Sequence, residues 1–392
     1  MTAQMLSGVR VVDLTTVVFG PYATQTLADL GADVIKVEQP GGDMYRYAGK
    51  AAVTPGMGPA QMNLNRGKRS IVLDLKSADD AATMRELISF ADIFIHNVRS
   101  DAIARLGFAP EAARALNPGL IYIHCVGFGS GGPYEDLQAY DDVIQAATGT
   151  TSLAGRVDGD GGARYLPSLL ADKVAGLLGA QAALAAYVHK LRTGQGQFVE
   201  VPMFEGFAQF MLVEHFGGLV FDPPNAPVCY SRQIDPDRQP FPTKDGFVSI
   251  VPYTLPSLPI AFAVLGDRAF IERSEFANPM LIAANMGLLY RRIAELTPAR
   301  TSAEWVELFA AARIPCMAAR DIGDILEDPH LQAAGFFRRR THPTEGGYFD
   351  LRPPVQYSAY QPAEPRPAPL VNEHGADVRV ELERLKAARD AQ

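Results

Sequence analysis

A carboxylate in the first turn of a long helix of small residues is the most chemically suggestive feature of this sequence. Asp172 lies near the start of the segment Ser168 to about Arg192, and at 3.6 residues per turn Asp172, Gly176, Gly179 and Ala183 fall close to one face. All but the first are small, so that face admits a second backbone or a thin ligand. An ionised carboxylate beside it can serve as a nucleophile. The plainer alternative is that Asp172 complements the helix macrodipole, worth a few tenths of a kcal/mol. Residue types alone leave both open. Lys173, the next residue, points elsewhere and reads as solvated.

Basic side chains gather where a ligand would lie. Arg46, Arg66, Lys68, Arg69, Lys76, Arg99 and Arg105 fall in or near loops that follow strand candidates, a placement suited to gripping phosphates, although each also reads as solvated surface. Asn97 ends an apolar run, where a polar amide either caps the next turn or faces a ligand. Tyr140, Asp141 and Asp142 precede a helix, and capping accounts for at least one of the aspartates. His124 and Cys125 are strand neighbours that point to opposite faces, so they cannot be a nucleophile and its base, and Cys125 reads as core. There is no GxSxG signature. The first turn, Val17 to Pro21, has one glycine and a proline that removes a donor, which disfavours a pyrophosphate and hence a nicotinamide enzyme. The Gly127–Gly132 run leads into Pro133 and Tyr134 instead of a helix, and reads as a turn or as backbone lining a site.

The elements that must position these residues alternate. Strand candidates are Val9–Leu14, Ala32–Glu38, Arg69–Leu75, Ile93–Asn97, Leu120–Val126 and Gln197–Pro202, with helices at Pro21–Leu30, ended by Gly31, and from a Ser77 cap to about Phe90. That pattern predicts an α/β fold with a doubly wound parallel sheet, whose ligands sit at the carboxyl ends of the strands. A further helix is expected over Phe204–His215. Beyond a loop-like stretch, Asp222–Gln239, a smaller unit follows with a strand at Phe247–Val251 and helices around Ala261, at Ile282–Leu296 and at Ser302–Ala312. Gln361–Leu370 is Pro-rich and expected to be extended.

With 392 residues, 47% of them apolar, the chain can bury a sizeable core, and its length suggests about two domains. A net charge of -8 with interspersed signs would concentrate neither nucleic acid nor anionic lipid, so a small-molecule partner is expected. Three separated cysteines, Cys125, Cys229 and Cys316, indicate a reducing compartment. The apolar run Val174–Val188 is short of a membrane span, and no secretory signal is visible before the first strand. A cytoplasmic enzyme is expected.

Taken together, the motifs resemble the class III CoA-transferase family, which includes formyl-CoA transferase, carnitine CoA-transferase and the α-methylacyl-CoA racemases. The segments carrying the resemblance include LTTVVFGP (Leu14–Pro21), LADLGADVIKVE (Leu27–Glu38), GDMYR (Gly42–Arg46), NLNRGKRSIVLDLK (Asn63–Lys76), ADIFIHNVRSDAIARLG (Ala91–Gly107), AYDDVIQAATG (Ala139–Gly149), DKVAG (Asp172–Gly176) and RTGQGQFVEVPMFE (Arg192–Glu205). The resemblance implies that Asp172, which begins the DxxAG segment, is the nucleophile of a CoA-transferase. It implies CoA contacts at Val18 and Phe19, Leu73 to Lys76, Asn97 and Val98, Arg105, and Tyr140 with Asp141. Formyl-CoA transferase has basic residues where Gln39 and Gln138 stand, so Arg46 or Arg99 is expected to replace part of that grip. Its mobile glycine-rich loop has no counterpart between Phe216 and Phe241.

Further implications are an interlaced homodimer, no permanently bound cofactor, and CoA, an acyl-CoA and a carboxylic acid as substrates. A large Rossmann-like CoA-binding domain would comprise residues 1–200 with 330–392, and a small α+β domain 225–325, joined by linkers at 201–224 and 326–329. Two rivals remain. An α-methylacyl-CoA racemase on the same fold needs two acid/base groups flanking the α-carbon, and that branch places a histidine where this chain has Tyr140. A CoA-ester binding protein without turnover is opposed by the retained DxxAG and YDD residues.

Overall fold

The computed structural model describes residues 4–252, 254–360 and 363–391. Six strands, β1 (Arg10–Leu14), β2 (Asp33–Glu38), β3 (Arg69–Val72), β4 (Ile93–His96), β5 (Ile121–Val126) and β6 (Phe198–Pro202), form one sheet. Its order is β3-β2-β1-β4-β5-β6 and every pairing is parallel, the doubly wound arrangement expected from β-branched runs alternating with helices. The strand direction reverses its lateral progress between β1 and β4. That is where ligands of such sheets bind.

Alternating side chains along the strands feed two cores. Val11, Ile93, Ile95, Ile121, Ile123 and Cys125 pack under the helices Phe19–Asp29 and Leu170–Thr193. Val12, Ile35, Phe94 and Tyr122 pack on the opposite face under the helix Ala78–Ser89 and under Val378 and Leu382 of the C-terminal helix Gly375–Asp390. Cys125 is therefore core, its thiol pushed up by burial, and His124 lies across the sheet from it. Ser77 stands at the expected N-cap but makes no side-chain cap bond. Gly31 has φ +97°, a left-handed helix end that favours glycine.

The helix Leu170–Thr193 has 24 residues and ends at the left-handed Gly194. By length and composition alone it is long enough to cross a membrane. Here its buried side is Asp172, Gly176, Gly179 and Ala183, together with further alanines, and it faces the helix Phe19–Asp29. A Cβ added at Gly176 would stand 2.9 Å from the Phe19 carbonyl oxygen and 2.9 Å from the Tyr22 ring. Only glycine permits that approach.

The chain returns to the sheet at its end. Asn372 donates its N–H to Ser70 Oγ and accepts from Val72 N–H with its side chain, while Ser70 accepts from His374 N–H. Glu381 binds Arg10 and Arg69 at 2.7 and 2.6 Å. An antiparallel hairpin, Phe337–His342 with Gly346–Leu351, precedes this segment and was not expected from sequence.

Two compact units result. One takes the chain up to Thr150, Tyr165–Met211 and everything from Ala333; the other takes Thr151–Arg164 and Leu212–Gln332. The second contains a three-stranded antiparallel sheet, Phe241–Pro242, Phe247–Ile250 and Cys316–Ala318, over a core with Phe262, Trp305 and Phe309. Its expected helix Ile282–Leu296 is two helices, Pro279–Ala284 and Met286–Leu296, meeting at Asn285. The helix Ser302–Ala311 begins with a capping box between Thr301 and Glu304.

Candidate active site

The switch point holds Asp172. Its carboxyl is buried in the first turn of the long helix, 7% exposed, and its own N–H donates to Asp141 Oδ1 at 3.1 Å. Asp141, at the start of the helix Asp141–Ala147, is buried too, and its other oxygen accepts from Gln145 Nε2 at 2.5 Å. The first-turn aspartate thus caps a neighbouring helix and not its own. Gln145 is fixed in turn by the Leu166 N–H and the Ser168 carbonyl, the two residues leading into Asp172.

Burial, and then the negative charge of Asp141, push the Asp172 carboxyl up to about 7, opposed by the N–H of Phe19. Tyr45, on the short turn Met44–Tyr47, lies close enough for Asp172 and Asp43 to raise its phenol further than burial alone does. A carboxylate stripped of water is poorly stabilised and correspondingly reactive.

Beneath the loops lies a charged layer that the sequence reading did not assemble. Lys36, Lys68, Asp13, Asp43, Glu38 and Arg46 are all buried. Lys36 meets Asp43 and Lys68 meets Asp13, each at 3.2 Å, and Arg46 makes two 2.6 Å bonds to Glu38. Burial drives the Asp13 carboxyl up, but Lys68 and Lys36 outweigh it and hold it at about 2. Burial lowers the Lys68 ammonium to about 8. A lysine and a glutamate inside the apolar strand DVIKVE, paired in register with the Asp13 strand, were the available signal.

These bonds fix the loop after β1. Thr15 donates its N–H to Asp13 Oδ1, Thr16 to Asn97 Oδ1 at 3.0 Å, and Val17 to Asp43 Oδ2 at 3.2 Å. Val17 has φ +67°. A β-branched residue there is strained, by about 1–3 kcal/mol.

The expected CoA residues divide into two groups. Val18 and Phe19 are buried at the start of the first helix, and Leu73 is buried after β3. Gln39, Lys76, Arg99, Arg105, Gln138 and Tyr140 are exposed, and Val98 is half-buried. Arg99 and Arg105 both pair with Asp101, at 3.3 and 2.8 Å. Arg46 departs from expectation: its guanidinium is 1% exposed and spent on Glu38 and on the Pro369 carbonyl, so it braces a loop and presents no charge to a phosphate. Asn97 uses its amide in both directions on Thr16, accepting the N–H and donating to the carbonyl at 3.0 Å. The Gly127–Gly132 segment is a turn whose amides are taken by this chain's own carboxylates: Gly129 by Glu205, Ser130 by Glu200 and Gly131 by Glu135.

A family model described as CoA-transferase family III matches residues 6–375. The chain is 32% identical to a succinate–glutarate CoA-transferase of Agrobacterium fabrum, across 97% of this chain and 96% of that one. It is 28% identical to the human succinyl-CoA:glutarate CoA-transferase, across 96% and 86%. A solved structure of Rv3272 from Mycobacterium tuberculosis superposes with a TM-score of 0.82 at 28% identity, across 96% and 99%.

Proposed function

Because the chain belongs to CoA-transferase family III, we propose that it moves CoA from an acyl-CoA donor to a carboxylic acid through an aspartyl-CoA thioester on Asp172. The observation that carries this reading is the buried Asp172 carboxyl in the first turn of the long helix, anchored through Asp141.

Asp172 attacks the donor thioester carbonyl; the carbon–sulfur bond breaks, leaving a mixed anhydride and a CoA thiolate. The thiolate attacks the Asp172 carbonyl, expelling the donor acid as a carboxylate and forming the aspartyl thioester. The acceptor carboxylate then attacks that carbonyl, CoA leaves as thiolate, and the thiolate attacks the acceptor carbonyl of the second anhydride, restoring Asp172. No net proton is consumed. The phosphates, bound far from the sulfur, hold the thiolate in place during both anhydride stages, and exclusion of water protects the anhydride. In this reading Arg99 and Lys76, exposed on turns after the strands, and Arg105, exposed at the end of the helix Ser100–Arg105, meet the phosphates, with Gln39 and Gln138 contributing. Leu73, Val98 and Tyr140 would flank the nucleotide, and the first compact unit, which holds all these residues, would be the CoA-binding domain.

The relatives named for succinate and glutarate make four- and five-carbon dicarboxylates the first acids to test. We place the enzyme in the cytoplasm as a homodimer. After incubation with a panel of acyl-CoAs and trapping with hydroxylamine, the peptide containing Asp172 is expected to carry a hydroxamate that is absent without acyl-CoA and absent from D172N. Acyl-CoA binding with no adduct from any member across the whole panel would defeat the covalent reading.

A further inference from the structure

We propose that Gln145 is a positioning residue for the nucleophile: its buried amide aims the Asp141 carboxylate, which in turn holds the first turn of the long helix, where Asp172 stands. The proposal rests on Asp172 being the nucleophile.

A helix begins with four N–H groups that its own backbone cannot satisfy. Leu169, at the N-cap of the long helix, has no side-chain acceptor and makes no cap bond. The acceptor comes from the helix Asp141–Ala147 instead: Asp141 Oδ1 takes the Asp172 N–H at 3.1 Å. That bond falls on the main chain of the reacting residue itself, so a carboxylate free to rotate would loosen the turn that presents Asp172.

Gln145, one helical turn beyond Asp141 and 0% exposed, prevents the rotation. Its Nε2 donates to Asp141 Oδ2 at 2.5 Å and to the Ser168 carbonyl at 3.2 Å, and its Oε1 accepts the Leu166 N–H at 2.8 Å. Gln145 is thereby held by the segment that leads into the long helix while it holds the residue that caps that helix. The closed circuit selects the residue type. A primary amide supplies donors and an acceptor together, whereas a carboxylate has no donor, leucine has neither, and asparagine is one carbon short.

The test is a double-mutant cycle on single-turnover formation of the Asp172 hydroxamate, comparing the wild type, Q145L, D141A and Q145L/D141A. Q145L is expected to form the adduct about tenfold more slowly, with Kd for acyl-CoA within about twofold, as small misplacements of reacting groups cost rate and not binding. Because Gln145 acts through Asp141, Q145L should slow D141A by less than about twofold more. A side chain that only packs would multiply the two losses. If Q145L does not fold, as judged by urea unfolding, Q145N carries the same comparison, since it keeps an amide that cannot span Asp141 and Leu166 together. An unchanged adduct rate, losses that multiply, or an effect confined to Kd would overturn this inference. If the wild type forms no adduct, the Asp172 reading has failed instead.

Discussion

At the scale of single residues, Asp172 sets function and stability against each other. Its folded-state carboxyl titrates near 7, against an ordinary 3.8, so between those values the folded protein holds a proton that the unfolded chain has lost. Stability is therefore given up as pH rises from about 4 to about 7, and no more is lost above that. D172N, neutral throughout, should match the wild type near pH 4 and exceed it at pH 8, which urea midpoints at the two values would show. In the proposed mechanism catalysis runs the other way, since the attacking form would be the carboxylate and the rate should climb through the same interval. Gly176 is the second sensitive position. G176A places a methyl where the Phe19 carbonyl and Tyr22 already stand, and should cost about 1–3 kcal/mol of overpacking and slow acyl transfer. Equal urea midpoints for G176A and the wild type would refute it. Asp172 itself could be singled out in the sequence, because small residues at helical spacing beside a carboxylate form a visible pattern. Whether Arg46 would meet a phosphate or Glu38 could not be read there, since that depends on how its own turn folds back on β2 and on the distant Pro369 carbonyl that completes its bonds.

At the scale of elements, the six strands lie within three residues of their expected ends, because buried parallel strands are near-continuous β-branched runs with turn residues at each boundary. The hairpin Phe337–His342 with Gly346–Leu351 was hidden by its own side chains: Arg338, Arg339 and Arg340 in a row carry no apolar alternation. Arg338 and Arg340 share the carboxylate of Asp350, and Arg340 also meets Glu364 at 3.0 Å. The helix break at Asn285 escaped notice because the apolar periodicity runs on through it. In the charged layer, Asp13 faces Lys68 with no water between them, so D13N should strand a buried ammonium and lose about 3–5 kcal/mol. A D13N midpoint in urea close to that of the wild type would show that the layer is better compensated than its contacts indicate.

At the scale of the whole molecule, the exposed apolar surface bears on assembly. The long helix and the segment after it expose Leu177, Val188, Leu191, Phe210, Leu212 and Val213 to solvent. Alongside runs a groove lined by Leu178, Ala182, Val201 and Pro202. The proposed homodimer would cover such surface, and unfolding would then depend on protein concentration. Sedimentation as a monomer at micromolar concentration, with a midpoint independent of dilution, would remove the dimer from the account.

The closing stretch of the chain has a meaning for how the protein is made. Arg46 and Gln61 both direct a buried N–H at the carbonyl of Pro369, and Ser70 waits for Asn372 and His374. A ribosome that has released the first three hundred residues holds a sheet whose third strand is paired with β2 but still lacks the bonds from Asn372 and His374, with a guanidinium already drawn inward by Glu38 and short of one acceptor. Loop closure over that distance comes late and costs entropy before it returns contacts. The nascent chain therefore carries these charges some 323 residues before the Pro369 carbonyl that completes the Arg46 site is made.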